Sequence, residues 1–182
     1  EEGQARPQAV TGPLQIMEQS PPSHRIRVSG DALLLSAAHF ITLADGTCES
    51  LHGHNYRIAA EVAARLDEHE LIVDFRVLER RLAAILAELD HAVLLPTGHP
   101  SIRVAPGEVE VEVTAPGRRW VFPRSDCRLL PIRNTTAERL AQYLAERLRA
   151  ALPSGGGRPL AVQIELEESP GRAAVCELGP EP

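Results

Sequence analysis

The sequence predicts an α+β fold, an antiparallel sheet with two helices on one face, and three observations carry that prediction. Short apolar and β-branched stretches with partial alternation occur in pairs towards both ends of the chain. Two segments with helical apolar spacing lie between those pairs, and no internal repeat is evident. Helices inserted between two strand pairs place themselves on one face of a sheet that the strands share. The length of 182 residues allows one compact domain with a real core and is too short for two ordinary ones.

Residues Glu1 to Ser23 are rich in Pro, Gln, Gly and Glu, which predicts a loose arm before a single domain over 24–182. His24 to Phe40 and His52 to Leu66 read as two antiparallel strands separated by the turn-prone Ala44-Asp45-Gly46-Thr47. After Asp74, an N-cap, Leu78, Leu82, Ile85, Leu86 and Leu89 recur at helical spacing. A hairpin follows, Glu108 to Val113 and Arg118 to Phe122 flanking Thr114-Ala115-Pro116-Gly117, within an inserted stretch around 98–130. The second helix follows Asn134, with Thr135 and Glu138 as a capping box and Leu140, Tyr143, Leu144 and Leu148 as its stripe. Pro153 and Ser154-Gly155-Gly156-Gly157 mark its end. Two last strands, Leu160 to Leu166 and Arg172 to Leu178, are joined across Ser169-Pro170-Gly171.

Composition excludes several function classes. The formal charge of -6 argues against a general affinity for nucleic acid, which needs clustered positive charge. No run approaches the roughly 18 apolar residues of a membrane helix, and no signal-peptide pattern opens the chain, so a soluble protein with no membrane partner is expected. Cys48, Cys127 and Cys176 are too few and too widely spaced for a disulfide framework, which fits the reducing cytoplasm. All 19 cationic side chains are arginine, so Schiff-base chemistry and a phosphate-loop lysine are excluded.

His52-Gly53-His54 is the strongest chemical signal, because residues two apart on a strand point to one face and can reach one ion. His39, near the end of the preceding strand, can join them as a hairpin partner. Three neutral imidazoles suit zinc and leave a fourth position open for water or substrate. Two other readings stand beside this one: surface or packing histidines, and a closed structural site with Cys48 as fourth ligand. His24, His69 and His99 lack such company and are read as surface residues.

Ser36-Ala37-Ala38-His39 and Cys48-Glu49-Ser50-Leu51-His52-Gly53-His54-Asn55-Tyr56 resemble the 6-pyruvoyltetrahydropterin synthase and 6-carboxytetrahydropterin synthase family. Val73-Asp74-Phe75, Leu89-Asp90-His91, Thr136-Ala137-Glu138 and Ile164-Glu165-Leu166-Glu167-Glu168-Ser169 extend the likeness in order from about His24 to Leu178. The stretch from Pro96 to Ile132 departs from it, being longer than the corresponding link in typical members. The resemblance implies a tunnelling fold, in which sheets of several subunits join into an oligomeric barrel with active sites at the interfaces, usually a hexamer built as a dimer of trimers. It also implies Zn2+ on His39, His52 and His54, and a pterin substrate, 7,8-dihydroneopterin triphosphate.

The roles that follow are those of a lyase acting on the pterin side chain. Cys48 is the expected base beside the metal, and Asp90 with His91 an orienting and proton-relaying pair. Glu168 and Thr136 are expected at the substrate, the glutamate because a carboxylate accepts two parallel hydrogen bonds from the pterin edge. Glu168 is preferred over Glu165 and Glu167 because Ser169 follows it as in the family pattern, and Glu138 is assigned to capping. Glu49 resembles the glutamate that a folate-related branch uses for retro-aldol cleavage to 6-hydroxymethyl-7,8-dihydropterin, and a loop glutamate is the plainer reading. A zinc- and pterin-binding module without catalysis is the competing function.

Overall fold

The computed structural model describes residues 24–152 and 160–179, so the predicted arm over 1–23 and the predicted helix stop at Pro153 to Gly157 lie outside the described residues. The elements are β1 (His24–His39), β2 (His52–Ala64), α1 (Phe75–Leu89), β3 (Ala92–Pro96), β4 (Arg103–Pro106), β5 (Glu110–Ala115), β6 (Arg118–Pro123), β7 (Cys127–Leu130), α2 (Ala137–Ala151), β8 (Ala161–Ser169) and β9 (Arg172–Leu178). Six strands form one sheet in the order β7-β3-β1-β2-β8-β9, and β4-β5-β6 form a second.

Both helices bury one stripe against one face of the large sheet. Leu78, Leu82 and Leu86 of α1 and Leu140, Leu144 and Leu148 of α2 share a core with Ile58 and Val62 of β2 and with Val162, Ile164 and Leu166 of β8. Fully burying one such side chain stabilises the fold by about 1.5–3 kcal/mol, which is why these apolar periods decide the architecture. The Asp74 carboxylate accepts from the Arg76 N–H at 2.8 Å and so starts α1, as expected. Glu88 and Arg147 join the two helices through paired contacts of 2.7 and 2.9 Å.

Two expectations are corrected. The large sheet is mixed: β3 pairs parallel with β1, and β7 parallel with β3. The physical cause is α1, which carries the chain back along the sheet so that the next strand runs with β1. β3 and β7 span only 5 and 4 residues, too short for their alternation to be read in the sequence. The second helix is capped by Thr136, whose hydroxyl accepts from the Arg139 N–H at 3.4 Å. Thr135 is not the cap, because its hydroxyl donates to the Phe40 carbonyl at 2.6 Å and is fully buried there.

The predicted hairpin is present as β5 and β6, turning at Gly117 with φ +70, a value glycine adopts without strain. β4 extends it to three strands, and this small sheet closes a second core of Ile102, Val111 and Val113 with Phe40, Cys48 and Leu95. Among the described residues no helix is long and apolar enough to cross a membrane.

Candidate metal centre

His39 pairs with His52, and Ala37 with His54, across the antiparallel β1–β2 ladder. Directly opposed residues share a face, and so do residues two apart, so the ladder alone gathers three imidazoles. A bulge makes the parity work: Ser29 pairs with Ala59 but Leu34 with Arg57, so five steps of β1 match two of β2. The odd excess moves the inward face from Val28 to Leu35, Ala37 and His39, all buried.

Ring centroids stand 4.6 Å apart for His39–His52, 4.9 Å for His52–His54 and 5.3 Å for His39–His54. Glu168 on β8 completes the group: one ligand atom from each of the four residues lies within 4.8 Å of all the others. Alternation along β8 explains the choice among three glutamates. Val162, Ile164 and Leu166 face the core, so Glu168 follows on that face, whereas Glu165 meets Arg27 at 2.8 Å and Glu167 accepts from the Gly171 N–H at 3.1 Å.

The donor set fits a metal such as zinc on observations internal to the site. The His39 Nδ1 lies 2.8 Å from the Thr135 carbonyl and the His52 Nδ1 2.8 Å from the Ser50 carbonyl. A carbonyl only accepts, so Nδ1 carries the proton in both rings and Nε2 keeps its lone pair, the arrangement metal-ligating histidines use. The His54 Nε2 lies 2.6 Å from a Glu168 oxygen, yet the approach is misdirected and this buried nitrogen makes no hydrogen bond among the described residues. A buried polar atom without a partner is costly, and a cation among these four residues would supply the partner. Burial pulls the His39 pKa down, against the opposing Thr135 hydrogen bond, which favours the neutral ligand form.

Beneath the imidazoles lies Tyr56, fully buried, with its hydroxyl 3.1 Å from the His39 Nε2. With Nδ1 protonated, the His39 Nε2 lone pair accepts from the phenol, a hydrogen bond that ligation of a cation would replace; burial pushes the Tyr56 pKa up. The sequence reading gave this residue no role, although its position two beyond His54 placed it in the same inward series.

Cys48 does not join the four-residue group, so the closed site with a sulfur ligand is not assembled. Cys48 is 4% exposed, and burial pushes its thiol pKa up while the Arg118 guanidinium draws it down. Glu49 beside it is half-buried, its N–H donating to the Ile41 carbonyl at 2.9 Å.

Asp90 and His91 do form a pair, His91 Nδ1 standing 2.8 Å from Asp90 Oδ2. The Ser36 N–H, donating to Asp90 Oδ1 at 2.9 Å, holds that carboxyl below its usual range, with help from His91. The pair is not part of the four-residue group. His91, at φ +54, opens into a cavity of about 420 Å³ whose walls combine Ser36, Ala38, Gly53 and Asn55 with Ala37 and His54. The first four alternate with His39, His52 and His54 along β1 and β2, whereas His54 itself reaches this cavity. Thr136 is half-buried at the start of α2. His24 and His69 are exposed as expected, whereas His99 is half-buried and accepts from the Ser101 N–H at 3.0 Å.

Comparison with known proteins places this geometry. The family model described as 6-pyruvoyl tetrahydropterin synthase matches residues 32–178. A Methanocaldococcus jannaschii protein with the provisional name 6-carboxy-5,6,7,8-tetrahydropterin synthase is 28% identical over 144 residues, covering 78% of this chain and 88% of that protein. A Pyrococcus abyssi protein of the same provisional name is 29% identical over 135 residues, covering 74% and 79%. Among solved structures, a 6-pyruvoyltetrahydropterin synthase of Plasmodium vivax superposes with a TM-score of 0.79 at 23% identity, covering 87% of this chain and 99% of that one. The Plasmodium falciparum enzyme gives 0.79 at 24% identity, covering 86% and 98%. At such identities the structural likeness speaks for the fold, two helices against a mixed sheet as in the tunnelling fold.

Proposed function

Because the chain belongs to the 6-pyruvoyl tetrahydropterin synthase family, whose reactions are of the tetrahydropterin-synthase type, we propose that it is a zinc-dependent lyase acting on the side chain of 7,8-dihydroneopterin triphosphate. The product is 6-carboxy- or 6-pyruvoyl-tetrahydropterin, with 6-hydroxymethyl-7,8-dihydropterin as a second product by retro-aldol cleavage. The observation that carries this reading is the group of His39, His52, His54 and Glu168, one ligand atom of each lying within 4.8 Å of all the others.

Zinc bound by the three histidines would lower the pKa of side-chain hydroxyls and polarise a developing carbonyl. The remaining work belongs to the chain. The carbonyls of Thr135 and Ser50 keep two imidazoles in the ligating tautomer. Cys48 removes a proton from the substrate side chain; burial pushes its thiol pKa up, and the Thr42 hydroxyl and the Arg118 cation offset part of that rise. Asp90 accepts from the His91 Nδ1–H and so leaves Nε2 of that ring free to take or give a proton. The pair stands outside the four-residue group, and service to the imidazole group of another copy would be in keeping with an interface site in a hexameric barrel.

Glu168 accepts hydrogen bonds from the pterin edge while its neighbours hold the metal. The Thr136 hydroxyl accepts at the helix start and retains its own proton for the substrate. Glu49 is the base for the retro-aldol route; one Plasmodium vivax structure is described as the alanine variant of a catalytic glutamate, so a glutamate is a catalytic residue of that protein. The free thiols suit a cytoplasmic setting.

The test is to incubate zinc-loaded protein with dihydroneopterin triphosphate, then identify the pterins by mass and measure triphosphate release. Conversion with release supports the lyase. Stoichiometric zinc with no release and no product identifies a pterin-binding module instead.

A further inference from the structure

The inserted sheet does more than lengthen a link. Along β6 the side chains alternate, and the two faces have different partners. Arg119 faces outward, pairing with Glu112 on β5 at 3.0 and 3.1 Å. Arg118 and Trp120 face the segment between β1 and β2 that carries Cys48 and Glu49. The Trp120 ring stacks on Phe40, centroids 4.5 Å apart and planes 22° apart, and Phe40 directly follows His39. The Arg118 Nε–H donates to the Cys48 carbonyl at 2.9 Å. Val111, Val113 and Ile102 of the insertion pack in the same core as the Cys48 side chain.

The segment's remaining ties are local or come from below. Glu49 donates to Ile41, Thr42 bridges to Cys48, and the Asn134 side chain brackets Thr42 at 3.3 and 2.9 Å. Against these, Arg118 supplies a charged hydrogen bond to the backbone of Cys48 from the insertion itself, and the turn at Gly117 is what aims it there.

We propose that the inserted sheet is a wall of the reaction site, with Arg118 as the positioning residue that holds the Cys48–Glu49 segment. The guanidinium also opposes the effect of burial on the thiol, which is consistent with that placement. The inference rests on the reading of Cys48 as a base for its effect on turnover, but not for its effect on the segment, and the two are measured separately.

Full-length, zinc-loaded Arg118→Met, Arg118→Lys and Arg119→Met are compared with the unaltered chain. The readouts are zinc content, iodoacetamide labelling of each cysteine followed by mass, and kcat and KM. In Arg118→Met, Cys48 labels about tenfold faster once each rate is referred to the thiolate fraction from its own pH profile, the loss expected for one charged hydrogen bond holding a locally opening segment. Cys127, Cys176 and zinc content stay unchanged, and kcat falls more than KM rises. Arg118→Lys, which keeps a cation and donors, recovers most of both effects, and Arg119→Met matches the unaltered chain. The proposal is overturned if Cys48 labelling in Arg118→Met stays within about twofold, or if Cys127 accelerates equally, which would mean that the whole insertion had come loose. Faster Cys48 labelling with unchanged kcat supports the positioning and removes Cys48 from the proposed chemistry.

Discussion

The imidazole group and the Cys48–Glu49 segment adjoin in sequence but are built in opposite ways. His39, His52 and His54 sit on two paired strands, where register and parity dictate which way each ring points, and Nδ1 of two rings is tied to a backbone carbonyl. Cys48 and Glu49 sit on a connection between those strands, held by a single bridge, a few turn hydrogen bonds and contacts from the inserted sheet. A ladder preorganises metal ligands at no further cost, whereas a base on a loop must be positioned by whatever packs over it. The proposed metal half of the site is therefore expected to tolerate changes in the insertion, and the proposed base half is not.

The largest effect that tests this contrast is loss of a ligand. His52→Ala or His54→Ala should lower zinc affinity by more than about a hundredfold and abolish turnover, since each removes one of three imidazoles from a divalent ion. Stoichiometric zinc in both variants, measured by metal analysis after dialysis, would break the ligand assignment.

Next in size, Cys48→Ala should keep full zinc and lose roughly 10²–10⁴ in turnover, the range for removal of a general base. The carboxy- or pyruvoyl-type product should vanish while some 6-hydroxymethyl-7,8-dihydropterin remains. Glu49→Gln should reverse that partition, because a base must lie about 2.6–3.2 Å from the atom it serves and two adjacent residues do not meet that condition equally for one proton. An unchanged product mixture in Glu49→Gln would make the glutamate an ordinary loop residue.

The smallest effect sharpens the boundary. Thr136→Ala should cost about 1 kcal/mol of stability through the lost helix cap, read from the denaturation midpoint. It should also raise KM with zinc unchanged; a normal KM would leave Thr136 as a cap alone.

Sequence alone made the strand-borne half legible. His-x-His on a strand puts both rings on one face, a histidine on the hairpin partner can join them, and the register that opposes His39 to His52 brings it there. α1 with its Asp74 cap was equally plain, because five leucines and isoleucines kept one period across 15 residues. What escaped was set by distant pairing. β3 and β7 are too short to show alternation, and their parallel pairing depends on where α1 returns the chain. Thr135 displaced by one residue the cap read from the sequence because its hydroxyl and carbonyl are committed to Phe40 and His39, partners more than 90 residues away. The proximity of Glu168 to the imidazoles needed the β2–β8 register, which no local pattern encodes.

The most direct measurement is zinc-edge X-ray absorption on the loaded protein. Three imidazole nitrogens and oxygen at about 2.0–2.1 Å, with no sulfur in the shell, are predicted from ligands fixed by the strands and a cysteine held apart from them. A sulfur scatterer at about 2.3 Å would put Cys48 on the metal and contradict the division of the site into a strand-built metal half and a loop-built base.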